Sequence, residues 1–151
     1  MERILVMSVY DAFDYVMEHY YPAGLEEFAE RADSYAGISI QDSHTGGFGF
    51  RFEKSRSCVD ALTLIFDDTE REVEGAALFS DEQADRIIEF IERNRDRADT
   101  LLIHCYGGQS RSRAVGVFAA QLLGKDATDL LLGGNPNPYV YDRLVERAGL
   151  G

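Results

Sequence analysis

One short stretch of the chain combines the residue types that nucleophilic chemistry on an anionic substrate requires. His104 and Cys105 are followed after five residues by Arg111 and Ser112, and the stretch reads HCYGGQSRS. A cysteine thiolate is a strong nucleophile, and a guanidinium donates paired hydrogen bonds to phosphate or carboxylate oxygens. Two consecutive glycines between the cysteine and the arginine allow the backbone to curl tightly. We therefore predict a nucleophilic cysteine in an anion-binding loop.

The residues on either side of this stretch predict the backbone geometry that such a site needs. Leu101–Ile103 is apolar and predicts a buried strand that ends at His104, and a helix is predicted from Ser110 to a C-terminal stop at Gly124. A strand, a tight loop and a helix start direct several backbone N–H groups at one point, and the positive helix end adds to them. In a chain of this composition, a cysteine that follows a histidine and precedes a glycine by three residues and an Arg-Ser pair by six would occur by chance about once in fifty thousand.

The rest of the chain alternates apolar strands with helical segments. Further strands are predicted at Ile4–Met7, Gly37–Ile40 and Ala61–Phe66. Further helices are predicted at Asp11–Tyr20, Leu25–Ala32 and Tyr139–Ala148. Another helix is predicted to begin at Ser80, where Gln83 completes a capping box. This alternation predicts one α/β domain over residues 1–151, with a central, mainly parallel sheet flanked by helices and the cysteine loop between a strand and a helix. The region Gln41–Arg56 is predicted to be a surface loop, and its Gly46–Phe50 part a plain connection, with a mobile flap as the alternative.

The overall charge argues against several classes of partner. The chain has 151 residues, of which 27 are acidic and 15 basic, for a net charge of −12. Such a protein is not expected to bind nucleic acid or an anionic membrane surface. Neither a secretory leader nor an apolar run of about 20 residues is visible, and the two cysteines do not form a disulfide framework, so a reduced, cytoplasmic protein is expected. Cys58 is predicted to be a spectator, with a redox partnership with Cys105 as the minor alternative. The oligomeric state is left open.

The stretch HCYGGQSRS resembles the HC-x5-R-[ST] signature of the cysteine-dependent protein tyrosine phosphatase superfamily, and in particular its small dual-specificity-like branch. The flanking segments GISIQD, LTLIFDD and LFSDEQADRIIEFI resemble bacterial members of that branch. The resemblance extends from Ile4 to the final helix, although only the loop is highly specific. Gly107 is a departure, because the family often has alanine at that position.

The resemblance implies a two-step mechanism through a phosphocysteine, without metal or cofactor. Cys105 would attack phosphorus, Ser112 would assist departure of the thiolate, and His104 would order the loop. The phosphoryl oxygens would be held by the loop residues Tyr106, Gly107, Gly108, Gln109, Ser110 and Arg111.

A general acid is also required, and it must come from another loop at the carboxyl edge of the sheet. Asp67 and Asp68 follow the Ala61–Phe66 strand and lie before Cys105 in the order that the family shows. The resemblance favours Asp68, and Asp67 is kept as the alternate acid.

The predicted function is hydrolysis of a phosphomonoester, either a phosphorylated protein or a small molecule, with phosphotyrosine or dual specificity. The neutral loop residues Tyr106, Gln109 and Ser110 disfavour lipid and RNA phosphates, but Arg113, with Arg51 or Arg56, is a candidate to line the cleft and bind a polyanion. The alternatives are a rhodanese-like sulfurtransferase, which has no use for Asp68, and a catalytically weak phosphate-binding module.

Overall fold

The computed structural model describes residues 1–22, 24, 26–28, 33–44 and 49–150. Its strands and helices are interspersed along the chain, as the sequence predicts, with two consecutive strands in the middle and three consecutive helices at the end of the described residues. In chain order they are β1 (Arg3–Ser8), α1 (Val9–Tyr20), β2 (Tyr35–Gln41), β3 (Cys58–Ile65), α2 (Asp81–Asn94), β4 (Thr100–Cys105), α3 (Arg111–Leu122), α4 (Thr128–Leu132) and α5 (Pro138–Ala148).

Within the described residues, the four strands form one sheet in the order β1-β4-β2-β3, and every neighbouring pair is parallel. The predicted parallel α/β fold is therefore confirmed. β4 lies between β1 and β2, with Cys105 in register with Ser8 and His104 in register with Ser39. Because the strands are parallel, their carboxyl ends meet at one edge, where the loops that follow them can form a common site.

Both faces of the sheet are covered, and the side chains of β4 alternate between them. Leu101 and Ile103 pack into the larger core with α2, α3 and α5, whereas Leu102 packs into a smaller core with α1. Every residue of α3 from Arg111 to Ala120 is buried. The strand and helix that flank the cysteine loop are thus deeply buried, which gives the loop a rigid base.

The observed helices differ from the predicted ones at several positions. α1 begins at Val9, earlier than predicted, because the Ser8 hydroxyl accepts a hydrogen bond from the Asp11 N–H and caps the helix. The capping box at the start of α2 is present as predicted. The helix predicted at Leu25–Ala32 is wrong for residues 26–28, which are not helical, and its other residues lie outside the described part of the chain.

Two further regions complete this comparison. The short helix α4 has no predicted counterpart, because five residues are too few for a helical period to stand out. Of the predicted Gly46–Phe50 connection, residues 46–48 lie outside the described part of the chain. Among the described helices, none combines the length and the apolar character needed to cross a membrane.

Candidate active site

The cysteine loop connects the last residue of β4 to the first turn of α3. Cys105 is only 2% exposed. Its Sγ accepts a hydrogen bond from the Gly108 N–H at 3.2 Å and lies 3.0 Å from the Ser112 Oγ. These two groups and the positive end of α3 stabilise negative charge on the sulfur, as a nucleophilic thiolate needs.

Gly108 is required by the shape of this loop. Its φ is +71°, and a Cβ there would lie 2.6 Å from the carbonyl carbon of Met7 and 2.7 Å from the nitrogen of Ser8. Both are backbone atoms of β1, so neither can move aside. At Gly107, in contrast, the nearest atom to an added Cβ is the Cγ of Gln109 at 3.7 Å. An alanine would fit there, so the packing does not require a glycine at this position.

The Arg111 side chain folds back against the ends of the neighbouring strands. The residue is 5% exposed, and its Nη1 donates to the carboxylate of Asp42 and to the carbonyl oxygen of Phe66 at 2.9 Å. Its Nε is buried and has no hydrogen-bond partner in the described part of the chain. Nη1 is thus held in place by two acceptors, while Nε keeps an unused hydrogen-bond donor.

Sequence reasoning did not single out Asp42, although a signal was present. Asp42 follows β2 directly, at the same edge of the sheet as Cys105. An acidic residue directly after a parallel strand is placed to pair with a cation of the adjacent loop.

The two candidate acids have different surroundings, and Asp67 is held as a structural carboxylate. It accepts hydrogen bonds from the backbone and the hydroxyl of Ser43 and from the N–H of Ala77. Partial burial raises the pKa of Asp67, but these hydrogen bonds outweigh it and lower the pKa to about 2. Asp67 is therefore ionised at neutral pH and ties two loops together.

Asp68, in contrast, is exposed and lies against the cysteine loop. Its Oδ1 accepts hydrogen bonds from the Ser110 hydroxyl and from the Asn137 side-chain amide, each at 2.8 Å. Among the described residues, both hydrogen bonds to this carboxyl are accepted by Oδ1, and Oδ2 has no donor beside it. The structure brings Asp68 rather than Asp67 beside the loop that follows Cys105.

Asn137 is a second residue that sequence reasoning missed. It is buried, and its side-chain oxygen caps α5 by accepting hydrogen bonds from the N–H groups of Tyr139 and Val140. Its side-chain nitrogen reaches Asp68 and the carbonyl oxygen of Thr69. The available signal was its position directly before Pro138, which is typical of a helix cap. The contact with Asp68 links residues far apart in the chain and has no local signature.

His104 is buried beside the aromatic rings of Phe50 and Phe52, whose centroids lie 5.7 and 5.1 Å from the centroid of the imidazole. Burial lowers the pKa of His104 to about 4, against a smaller opposing effect of a hydrogen bond with the Cys105 carbonyl oxygen. The imidazole is therefore neutral at neutral pH. Its position inside the core favours an ordering role over proton transfer.

Cys58 is remote from Cys105 and lies at the opposite end of the sheet. Through β2 it is level with Thr100, five residues before Cys105. Five residues of strand correspond to about 16 Å, whereas the Cα atoms of a disulfide lie within about 7 Å of each other. Burial raises the pKa of the Cys58 thiol to about 11. This geometry supports the spectator interpretation and argues against a disulfide between the two cysteines.

Arg113 does not line the cleft, and the sequence-based suggestion that it does is wrong. The side chain is buried behind the loop, where its Nε and Nη2 donate to the carbonyl oxygen of Gly108 and its Nη1 to that of Leu130. The guanidinium therefore faces the outer side of the loop instead of the substrate side.

No protein-family model matches the chain, and no curated protein matches it in sequence. Solved structures do match. One is the human tyrosine phosphatase-like serine/threonine/tyrosine-interacting protein, with a TM-score of 0.62 and 16% identity over 97% of this chain and 91% of that chain. DUSP15 has a TM-score of 0.56 and 20% identity over 95% of this chain and 81% of its own. The chain has the fold of the tyrosine and dual-specificity phosphatases. The resemblance inferred from the sequence is thus confirmed at the level of the fold.

Another solved structure with the same fold contains a bound ligand. PTPMT1, solved in complex with PI(5)P, has a TM-score of 0.58 and 11% identity over 98% of this chain and 91% of that chain. At these identities the shared feature is the phosphatase fold, while activity depends on the residues of each site.

Proposed function

We propose that this protein is a metal-independent phosphomonoester hydrolase that acts on phosphotyrosine, alone or with phosphoserine and phosphothreonine, through a phosphocysteine intermediate. The observation that carries the proposal is the position of the Cys105 Sγ, which lies between the Gly108 N–H and the Ser112 hydroxyl at the start of α3. A thiol that only fills a core would not need two polar partners and a helix N-terminus directed at it.

In the first step, the Cys105 thiolate attacks phosphorus while the bond from phosphorus to the leaving oxygen breaks. The loop N–H groups and the Nε of Arg111, which has no other partner in the described residues, bind the three other phosphoryl oxygens, over which the negative charge is spread in the transition state. Asp68 gives its proton to the leaving oxygen, so that an alcohol or phenol departs instead of an alkoxide.

In the second step, water attacks the phosphorus of the phosphocysteine and the bond from sulfur to phosphorus breaks. The Asp68 carboxylate now accepts the proton from water. Ser112, 3.0 Å from the sulfur, donates a hydrogen bond to the departing thiolate. Inorganic phosphate leaves, and the protein returns to its starting protonation state.

The surroundings of the loop support an aromatic leaving group. Tyr106, in the loop itself, is 48% exposed, and Tyr10 and Phe13 on α1 are 65% and 48% exposed. The rings of Tyr10 and Tyr106 meet edge to face with centroids 6.0 Å apart. Such exposed rings beside a nucleophile offer a stacking surface to the phenyl ring of phosphotyrosine. The neutral loop side chains and the net charge of −12 favour a phosphorylated protein or small phosphomonoester over a phosphoinositide. A reactive thiolate is best maintained in a reducing compartment, which supports a cytoplasmic location.

The test is hydrolysis of p-nitrophenyl phosphate from pH 5 to 8 in the presence of a chelator. We expect wild-type turnover, none with Cys105→Ser, and slow turnover with Asp68→Asn, whose pH profile lacks the part that depends on a protonated acid. Asp67→Asn is the matched control, because it removes the adjacent carboxylate. Absence of wild-type turnover on this substrate and on phosphotyrosine peptides would refute the proposal. Thiosulfate sulfurtransferase activity, or phosphopeptide binding without turnover, would then identify which alternative holds.

A further inference from the structure

Arg113 lies two residues beyond the arginine of the signature, in the first turn of α3, and is 9% exposed. Its Nε and Nη2 both donate to the carbonyl oxygen of Gly108, at 3.0 and 2.8 Å, and its Nη1 donates to the carbonyl oxygen of Leu130 at 3.0 Å. In the described part of the chain, all its hydrogen bonds go to carbonyl oxygens and none to a carboxylate. Asp126 and Asp129 line the same pocket as Arg113, but neither makes a hydrogen bond or ion pair with it, so its charge is not paired directly within the described residues.

Two glycines make room for this guanidinium. A Cβ on Gly134 would lie 2.8 Å from the Arg113 Nε and 2.7 Å from the carbonyl oxygen of Gln109, and a Cβ on Gly133 would overlap the Arg113 Nη1. Neither glycine has a left-handed backbone, so glycine is required at both positions because a side chain would collide with neighbouring atoms. The segment that follows α4 is thus shaped around the Arg113 side chain and the loop that this side chain contacts.

Arg113 is one of three anchors on the outer side of the cysteine loop. Three successive carbonyl oxygens accept hydrogen bonds from groups outside the loop: Gly108 from Arg113, Gln109 from the Asn135 N–H at 2.9 Å, and Ser110 from the Asn137 N–H at 3.1 Å. In a planar trans peptide the N–H points opposite to the preceding C=O. The anchored carbonyls therefore turn the following N–H groups inward, towards the side where the Gly108 N–H meets the cysteine sulfur.

The charges of the site give Arg113 a second role. The Arg111 guanidinium is already paired with the carboxylate of Asp42, so the net positive charge of the free site depends on other groups. Arg113 supplies a buried charge directly behind the loop, where water screens it weakly. A phosphate dianion that binds in the loop would balance this charge.

We propose that Arg113 is a positioning residue of the phosphate loop. It holds the Gly108 carbonyl outward, so that the next N–H faces the bound anion, and it supplies a second buried positive charge for the anion. This inference rests on the proposed function, in that it assumes that the loop binds a phosphoryl group.

The experiment compares Arg113→Met, which keeps most of the apolar stem, with Arg113→Lys, which keeps the charge but not the paired hydrogen bonds. Arg95→Met is the control, because Arg95 pairs with Glu92 on the surface at the end of α2. Four quantities are measured for each variant: the urea midpoint, kcat and KM for p-nitrophenyl phosphate, the affinity for inorganic phosphate by calorimetry, and the rate of Cys105 alkylation by iodoacetamide at pH 6.

We expect Arg113→Met to bind inorganic phosphate roughly ten- to a hundredfold more weakly, about the effect of losing one loop N–H contact with the anion, and to be alkylated more slowly. Arg113→Lys should recover part of the phosphate affinity, and Arg95→Met should resemble wild type. Gly133→Ala keeps the charge but displaces the guanidinium, because the three atoms nearest to its Cβ all belong to Arg113, so it should weaken phosphate binding in the same direction. This variant provides a second test if Arg113→Met does not fold.

The inference is overturned if folded Arg113→Met binds phosphate within twofold of wild type. It is also overturned if Arg113→Met loses phosphate affinity and alkylation rate only in proportion to its fall in urea midpoint, and Arg113→Lys restores neither the affinity nor the alkylation rate. If wild type binds phosphate in an Arg113-dependent way but hydrolyses no phosphomonoester, the proposed function fails and the role of Arg113 stands. If wild type hydrolyses the ester and Arg113→Met is equally active, the proposed function stands and the role of Arg113 fails.

Discussion

Replacing Asp67 with asparagine separates a structural carboxylate from a catalytic one. The substitution keeps the size of the side chain but removes the negative charge that the backbone and hydroxyl of Ser43 and the N–H of Ala77 stabilise. The fall in the pKa of Asp67 from 3.8 to about 2 corresponds to about 2.4 kcal/mol of stability at pH 7. Because water at this loop edge screens part of the interaction, we expect a loss of about 1–2 kcal/mol in the free energy of unfolding.

The pH dependence of this difference follows from the direction of the shift. The pKa of Asp67 is lower in the folded state than in the unfolded chain, so its contribution is complete above about pH 4 and is lost as the pH falls through about 2. At pH 3 the difference in the free energy of unfolding between wild type and Asp67→Asn should be about half of the difference at pH 7. Urea denaturation at the two pH values measures it, and any change that both proteins share cancels in the comparison.

Asp68→Asn should show the opposite pattern, with a free energy of unfolding within about 0.5 kcal/mol of wild type and kcat lower by about a hundredfold or more. Asp67→Asn should keep the kcat of wild type per folded molecule and the shape of its pH profile. A stable Asp67→Asn variant with low kcat, together with an active Asp68→Asn variant, would refute the assignment.

Three further predictions follow from the geometry of the site. Gly108→Ala should cost about 2 kcal/mol or more and abolish turnover, because its Cβ would meet the backbone of β1, whereas Gly107→Ala should behave as wild type in urea denaturation and turnover. The imidazole of His104 should stay neutral down to about pH 4 in an NMR titration, and titration near pH 6.5 would contradict its burial. As the pH falls, His104 is protonated near pH 6.5 in the unfolded chain but only near pH 4 in the folded protein. Burial of His104 should therefore reduce the free energy of unfolding by up to about 3 kcal/mol as the pH falls from 6.5 to 4. Tyr10→Ala should raise KM severalfold for a phosphotyrosine peptide but not for a phosphoserine peptide, and an equal change for both would argue against stacking.

The parts of the site that are local in sequence could be predicted from it. The strand that ends at Cys105, the tight loop and the helix that begins at Arg111 follow from apolar runs and glycines within a few residues. The alternation of strands and helices likewise predicts the parallel sheet, because parallel neighbours need crossovers between them. Both inferences depend on patterns that a short window of sequence contains.

The remaining features depend on contacts between distant segments. Asp67 and Asp68 differ because one meets Ser43 and the other meets Asn137, and neither contact has a signature near the pair. Arg113 was recognised as a cation near the loop, but its direction depends on space left by segments after α4. The sequence could therefore identify candidate residues of the site, but it could not predict which partners their side chains contact or which face of the loop they lie on.

The cysteine loop is enclosed by parts of the chain that are far apart in sequence. Gly108 packs against the backbone at the end of β1, and the carbonyl oxygens of Gln109 and Ser110 are held by Asn135 and Asn137. Bringing these distant segments together has an entropic cost that formation of a helix within one segment does not have. The contacts around the cysteine loop are therefore expected to form late in folding. During refolding, recovery of the alkylation rate of the cysteine should therefore lag behind recovery of the helical signal.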